Sequence, residues 1–174
     1  MEKDIYEAAK KLADIMLEKK KTFVTAESCT GGWIAKSVTD IAGISSVFLG
    51  GIVSYANEIK EKLLSVSAET LGKHGAVSEE TACEMAAGAI NSCGADYSVA
   101  VTGIAGPGGG TAEKPVGLVY IACAGKNGGC YAEKNIFSGS REDVRKSTVK
   151  KALEMLAEFV EKADTDKRFC GKPC

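Results

Sequence analysis

The stretch Thr22-Phe23-Val24-Thr25-Ala26-Glu27-Ser28-Cys29-Thr30-Gly31-Gly32 runs from β-branched and aromatic residues into a cluster of small ones, and a helical pattern resumes from Trp33 to about Asp40. Small residues between a strand and a helix mark a tight strand-to-helix turn. Upstream, Ile5, Ala8, Ala9, Leu12, Ile15 and Met16 fall at helical spacing, so residues 3–20 read as an amphipathic helix. Downstream, the apolar run 47–55 reads as a second, buried strand, followed by short helices near 57–65 and 68–73. Ser78 caps a longer helix to about Cys93, with Ala82, Met85, Ala86, Ala89 and Ile90 on its inner face.

Residues 97–102 form a third strand that runs straight into the glycine-rich segment 103–110. Residues 116–124 and 130–137 alternate like strands around the turn Lys126-Asn127-Gly128-Gly129, which predicts an antiparallel hairpin. Ser140 caps the last helix, whose stripe is Val149, Leu153, Leu156 and Val160. Alternation of helices and strands followed by a hairpin predicts a single-domain α/β/α layered fold around a mixed, mostly parallel β-sheet. The domain is expected to cover residues 1–163, with 164–174 a frayed polar tail.

The chain has 174 residues, 45% hydrophobic and 26% charged, a soluble globular composition for one domain. Its net charge of -1 offers no basic excess to neutralise phosphates, which demotes nucleic acid as a partner. No apolar run approaches the roughly 20 residues of a membrane span, and the charged N-terminus lacks the core of a signal peptide. A cytoplasmic protein with no membrane partner is expected. Seven cysteines, at 29, 83, 93, 123, 130, 170 and 174, without CxxC spacing, then read as free or buried thiols rather than bridges. His74, the single histidine, sits before Gly75 and reads as a turn residue, leaving little material for a histidine-based metal site.

In parallel α/β sheets ligands bind beyond the carboxyl ends of the strands. Three segments therefore matter: Ser28 to Gly32, Ser54 to Asn57, and Thr102 to Gly110. Ser28 reads either as an N-cap or as a nucleophile beside helix N-terminal N–H groups, which can stabilise a phosphate or an oxyanion. A nucleophilic serine needs a base, and a lysine can serve if desolvation leaves it neutral. Lys60 is the best placed, with Tyr55 to relay or orient the proton and Asn57 to hold the turn; the competing reading puts Lys60 on a solvated face with Glu58, Glu61 and Lys62. Cys29 is a rival nucleophile without a histidine partner.

The five glycines among residues 103–110 make either a phosphate cradle or a flexible connection, and lack P-loop and dinucleotide spacing. Arg141 and Arg145, one turn apart, are bidentate phosphate ligands or ordinary surface arginines. Trp33 reads first as core packing, although with the apolar helices it is also material for a homo-oligomer (dimer) face.

Five ordered motifs resemble one family. Thr25-Ala26-Glu27-Ser28-Cys29-Thr30-Gly31-Gly32, Ser54-Tyr55-Ala56-Asn57-Glu58-Ile59-Lys60, His74-Gly75-Ala76-Val77-Ser78, Thr102-Gly103-Ile104-Ala105-Gly106-Pro107 and Lys114-Pro115-Val116-Gly117 look like the CinA C-terminal domain family, from about residue 4 to 162. Its stand-alone members include the nicotinamide-nucleotide amidases. The resemblance implies hydrolysis of the carboxamide of nicotinamide mononucleotide (NMN) to nicotinate mononucleotide and ammonia, which recycles the pyridine nucleotide. It places the family's serine on Ser28, its lysine on Lys60 and its tyrosine on Tyr55.

Substrate contacts are then expected from Cys29, Thr30, Gly31, Gly32, Asn57, Thr102, Gly103, Ala105, Gly106, Arg141 and Arg145. Neither a metal nor a cofactor is expected, since the lysine supplies the base. The tail 164–174 has no counterpart in the family, and no residues match the other domain of its longer members. Two alternatives remain open: a non-catalytic nucleotide-binding or regulatory module, and an amidase for another amide-bearing nucleotide.

Overall fold

The computed structural model describes residues 2–163. The expected frayed tail, with Cys170 and Cys174, lies outside the described residues. The elements follow in the order α1 (Lys3–Lys19), β1 (Phe23–Glu27), α2 (Trp33–Thr39), a 3-10 turn (Ile44–Ser46), β2 (Phe48–Val53), α3 (Asn57–Leu64), α4 (Ala68–His74), α5 (Glu79–Cys93), β3 (Tyr97–Gly103), β4 (Leu118–Gly125), β5 (Cys130–Ile136) and α6 (Arg141–Ala163). The strands form one mixed sheet in the order β2-β1-β3-β4-β5. β1 pairs in parallel with β2 and β3, while β3–β4 and β4–β5 are antiparallel, so only β4 runs against the rest.

Helices cover both faces. On one, α1, α2 and α6 pack a core that includes Leu12, Ile34, Val99, Val101, Ile121 and Leu153. On the other, α5 and the end of α3 pack Leu64, Met85, Ala86 and Ala89 on Val24, Ala26, Ala100 and Ala122. The small residues on this second face bring α5 close to the sheet. Alternation along the strands assigns odd and even positions to opposite layers. Thus Val24 and Ala26 face α5, and Val99 and Val101 face α6.

The predicted caps form. Ser78 Oγ accepts from Thr81 N–H at 3.2 Å. Ser140 and Asp143 cap each other: Ser140 N–H donates to Asp143 Oδ2 at 2.9 Å and Asp143 N–H to Ser140 Oγ at 3.3 Å. The hairpin forms around the predicted turn, where Gly128 and Gly129 take positive φ.

Three expectations are corrected. β2 is not buried but an edge strand, alternating half-buried and exposed, with Leu49 and Val53 toward solvent. An apolar run marks a strand without saying whether it has one neighbour or two. Cys83 on α5 and Cys130 at the start of β5 are disulfide-bonded, with Cα atoms 6.0 Å apart, while Cys29, Cys93 and Cys123 are free. Packing of α5 over the hairpin brings together two cysteines 47 residues apart, a pairing that spacing does not reveal. His74 is not in the turn: it ends α4, its Nδ1 3.2 Å from Glu80 Oε1. Among the described residues no helix is long and apolar enough to cross a membrane.

One close approach sets the position of α3. A Cβ built on Gly88 of α5 would lie 1.8 Å from the Leu64 carbonyl oxygen at the end of α3. Only glycine allows this backbone contact, and Lys60 lies one helical turn before Leu64. Gly88→Ala is expected to destabilise the fold by about 1–3 kcal/mol, read by urea denaturation. An unchanged midpoint would show that α3 can shift at no cost.

Candidate active site

Glu27 and Ser28 end β1 on opposite faces of the sheet. The Glu27 carboxylate, wholly buried, turns toward α2. It accepts from the N–H groups of Gly32, Ile34 and Ala35 at 3.0, 3.0 and 2.8 Å, and from the hydroxyls of Thr30 at 2.7 Å and Thr25 at 3.2 Å. These are the N–H groups a helix leaves unpaired at its first turn, where negative charge is also favoured. Sequence reading passed over Glu27; its signal was an acidic residue at a strand end just before a helix.

The turn is held twice more. Gly31 and Gly32 take positive φ (63° and 94°), which glycine adopts without strain. From α6, Arg145 donates through Nε to Cys29 O at 3.1 Å and through Nη2 to Thr30 O at 2.7 Å. Its guanidinium also lies 5.2 Å from the centre of the Trp33 ring, which packs against the core below. The fork of Arg145 thus grips main-chain carbonyls of the turn, the role that sequence reading had offered to a phosphate.

Ser28 faces the other layer and is 9% exposed. Its N–H donates to Val101 O at 3.0 Å, so its backbone belongs to the β1–β3 ladder. Lys60, 1% exposed, rises from α3 to meet it. The amine is 3.3 Å from Ser28 Oγ, 2.7 Å from Ser54 O and 3.3 Å from Tyr55 O. Burial holds the Lys60 pKa below its ordinary 10.5, and no carboxylate is among the charges acting on it. The reading of Lys60 as part of a solvated face therefore falls away. Burial also pushes the Cys29 thiol up to about 12, which keeps it protonated and a poor nucleophile at neutral pH.

Tyr55 contributes a main-chain carbonyl to Lys60, while its side chain is 64% exposed. Its hydroxyl accepts from Arg141 Nη2 at 3.3 Å. Arg141 also donates through Nη1 to Gly106 O at 2.8 Å, bridging Tyr55 to the glycine-rich loop. Thr102 Oγ1 donates to Ala76 O at 2.6 Å and Lys114 Nζ to His74 O at 2.6 Å, tying the loops after α4 and β3 beside the site. Gly103 has no room for a side chain, since a Cβ there would lie 2.7 Å from Leu118 O. Ala105 is buried and Asn57 is the exposed first residue of α3.

Removing the charge of Glu27 tests the turn directly. Glu27→Gln would set an amide NH2 against donors, and is expected to destabilise by about 1–3 kcal/mol, read by chemical denaturation. Wild-type stability would show that the carboxylate is not what holds the turn.

A family model described as the CinA C-terminal domain matches residues 5–160. The chain is 45% identical over 153 residues to the nicotinamide-nucleotide amidohydrolase PncC of Escherichia coli (strain K12), covering 88% of this chain and 93% of that protein. It is 54% identical over 142 residues to a CinA-like protein of Endomicrobium trichonymphae, covering 82% of this chain but only 33% of that longer protein. The crystal structure of the competence/damage inducible protein CihA from Agrobacterium tumefaciens superposes with a TM-score of 0.88 at 46% identity, covering 91% and 96% of the two chains. A match over nearly the whole domain, in sequence and in fold, means that the chain belongs to the CinA C-terminal domain family.

Proposed function

We propose that this domain hydrolyses the carboxamide of NMN, releasing nicotinate mononucleotide and ammonia, with Ser28 as nucleophile and Lys60 as base. The observation that carries the chemistry is the setting of the Lys60 amine. Two main-chain carbonyls can accept two of its N–H groups, and its third direction faces Ser28 Oγ. When the amine is neutral, that third direction holds its lone pair. The substrate assignment is supported by the 45% identity to a nicotinamide-nucleotide amidohydrolase along 93% of that protein's length.

The amine takes the Ser28 proton as Oγ bonds to the carboxamide carbon. It then gives that proton to the departing nitrogen, which leaves as ammonia, and water hydrolyses the nicotinoyl ester by the same route in reverse. Transfer runs directly between Ser28 and Lys60, because the Tyr55 hydroxyl is engaged with Arg141. The Ser28, Gly31 and Gly32 amides are committed to Val101 O, Ser28 O and Glu27. The Cys29 and Thr30 amides are therefore assigned to the oxyanion, each contributing roughly 3 kcal/mol if well aimed. Arg141, exposed beside the glycine-rich loop, is assigned to the substrate phosphate, whereas Arg145 holds the turn.

Ammonia release from NMN is expected from the wild type and lost by at least about a thousandfold in Ser28→Ala. Equal release by both would remove Ser28 from the chemistry. Nucleotide bound without release would favour a binding module. Lys60→Arg should also be inactive, because arginine stays protonated.

Protonated Lys60 cannot accept the Ser28 proton, so the rate should rise with pH through an apparent pKa below 10.5. A rate that falls across that range would contradict the lysine base. Arg141→Ala should raise KM about tenfold for the mononucleotide while leaving the phosphate-free nucleoside unaffected. An equal effect on both would discard the phosphate role.

A further inference from the structure

The register of the parallel strands sets a row of three hydroxyl residues across their carboxyl ends. Glu27 lies beside Val53 of β2 and Val101 of β3. Main-chain bonds from Ser54 N to Glu27 O (2.8 Å) and from Ser28 N to Val101 O (3.0 Å) carry both ladders one residue further. The next row is Ser54, Ser28 and Thr102. Alternation turns all three toward the layer of α3 and α5, the side already taken by Ile52, Ala26 and Ala100.

Two of these hydroxyls have partners. Thr102 donates to Ala76 O, and Ser28 Oγ faces the Lys60 amine. The Ser54 side chain is wholly buried, and its Oγ is the one buried side-chain polar atom left without a hydrogen-bond partner among the described residues. Buried hydroxyls are nearly always paired, so an orphan of this kind calls for a use. Ser54 already serves Lys60 through its carbonyl, a role that any residue could fill. Its side chain lies beside Ser28, since adjacent strands run about 4.8 Å apart. Rotation about χ1 can bring the two hydroxyls together.

We propose that Ser54 is a positioning residue for the nucleophile, its hydroxyl donating to Ser28 Oγ as the Ser28 proton passes to Lys60. The Ser28 O–H points at the neutral amine, which leaves Oγ lone pairs to accept from Ser54. As the Oγ–carbon bond forms and the proton moves to the Lys60 nitrogen, that hydrogen bond steadies the negative charge developing on Oγ. The Ser54 proton stays on Ser54 throughout. This inference rests on the reading of Ser28 as nucleophile and Lys60 as base.

The test compares wild type, Ser54→Ala, Ser54→Thr and Ser28→Ala in two assays: the rate of Ser28 labelling by a fluorophosphonate, followed by intact mass, and ammonia release from NMN. Ser54→Ala is expected to slow labelling and kcat about ten- to a hundredfold with KM within about twofold. Its thermal midpoint should not fall, because no existing bond is lost. Ser54→Thr, which keeps the hydroxyl, should restore most of the rate. Wild-type labelling and turnover by Ser54→Ala would overturn the proposal, as would a loss that Ser54→Thr does not rescue. Labelling without ammonia release would refute the NMN reading alone, and the labelling rates would still decide the role of Ser54. A wild type that is never labelled would overturn the nucleophile and this proposal together.

Discussion

The site depends on one buried carboxylate. Glu27 gathers three main-chain N–H groups from the start of α2 and two hydroxyls, and so fixes the path by which the chain leaves β1. Because neighbouring residues on a strand face opposite ways, committing Glu27 to the α2 layer commits Ser28 to the α3 layer. The serine is then part of the sheet at its backbone and part of the site at its side chain. A serine held in this way has little freedom to reorganise, which is what a preorganised site requires.

The lysine comes from a different kind of constraint. A buried amine without a carboxylate partner is held closer to its neutral form, and the same burial opposes folding whenever the amine is charged. Between the depressed pKa and 10.5 the unfolded chain binds the extra proton, so this penalty eases as pH rises through that window. The fold keeps α3 in place by other means: the backbone contact at Gly88, and Leu64 in the core of the α5 layer. Stability is therefore supplied around the lysine rather than by it.

Much of this architecture was legible from the sequence. Periodicity located the long helices, whose apolar stripes are buried, while apolar runs and small-residue turns located the strands. The small-residue turns at strand ends pointed to the site, and Ser28 and Lys60 stood out because the chain has a single histidine. What stayed hidden depends on contacts distant in sequence. β2 looked buried because its apolar residues do not record how many neighbours it has. Arg145 reads equally as a phosphate ligand or a surface arginine, because nothing local shows that it reaches back to Cys29 and Thr30. The Cys83–Cys130 bond needed the packing of α5 on the hairpin. Glu27 carries only a local signal, an acidic residue at a strand end before a helix, and its five partners appear only once the turn is folded.

The reach of Arg145 back to Cys29, 116 positions along the chain, also bears on how the protein is made. Synthesis is vectorial, and α6 is the last described element to emerge from the ribosome. Until it does, the carbonyls of Cys29 and Thr30 have no guanidinium to clamp them, and the turn rests on the Glu27 network. The clamp on the turn beside Ser28 is therefore closed only once the last described helix has been made.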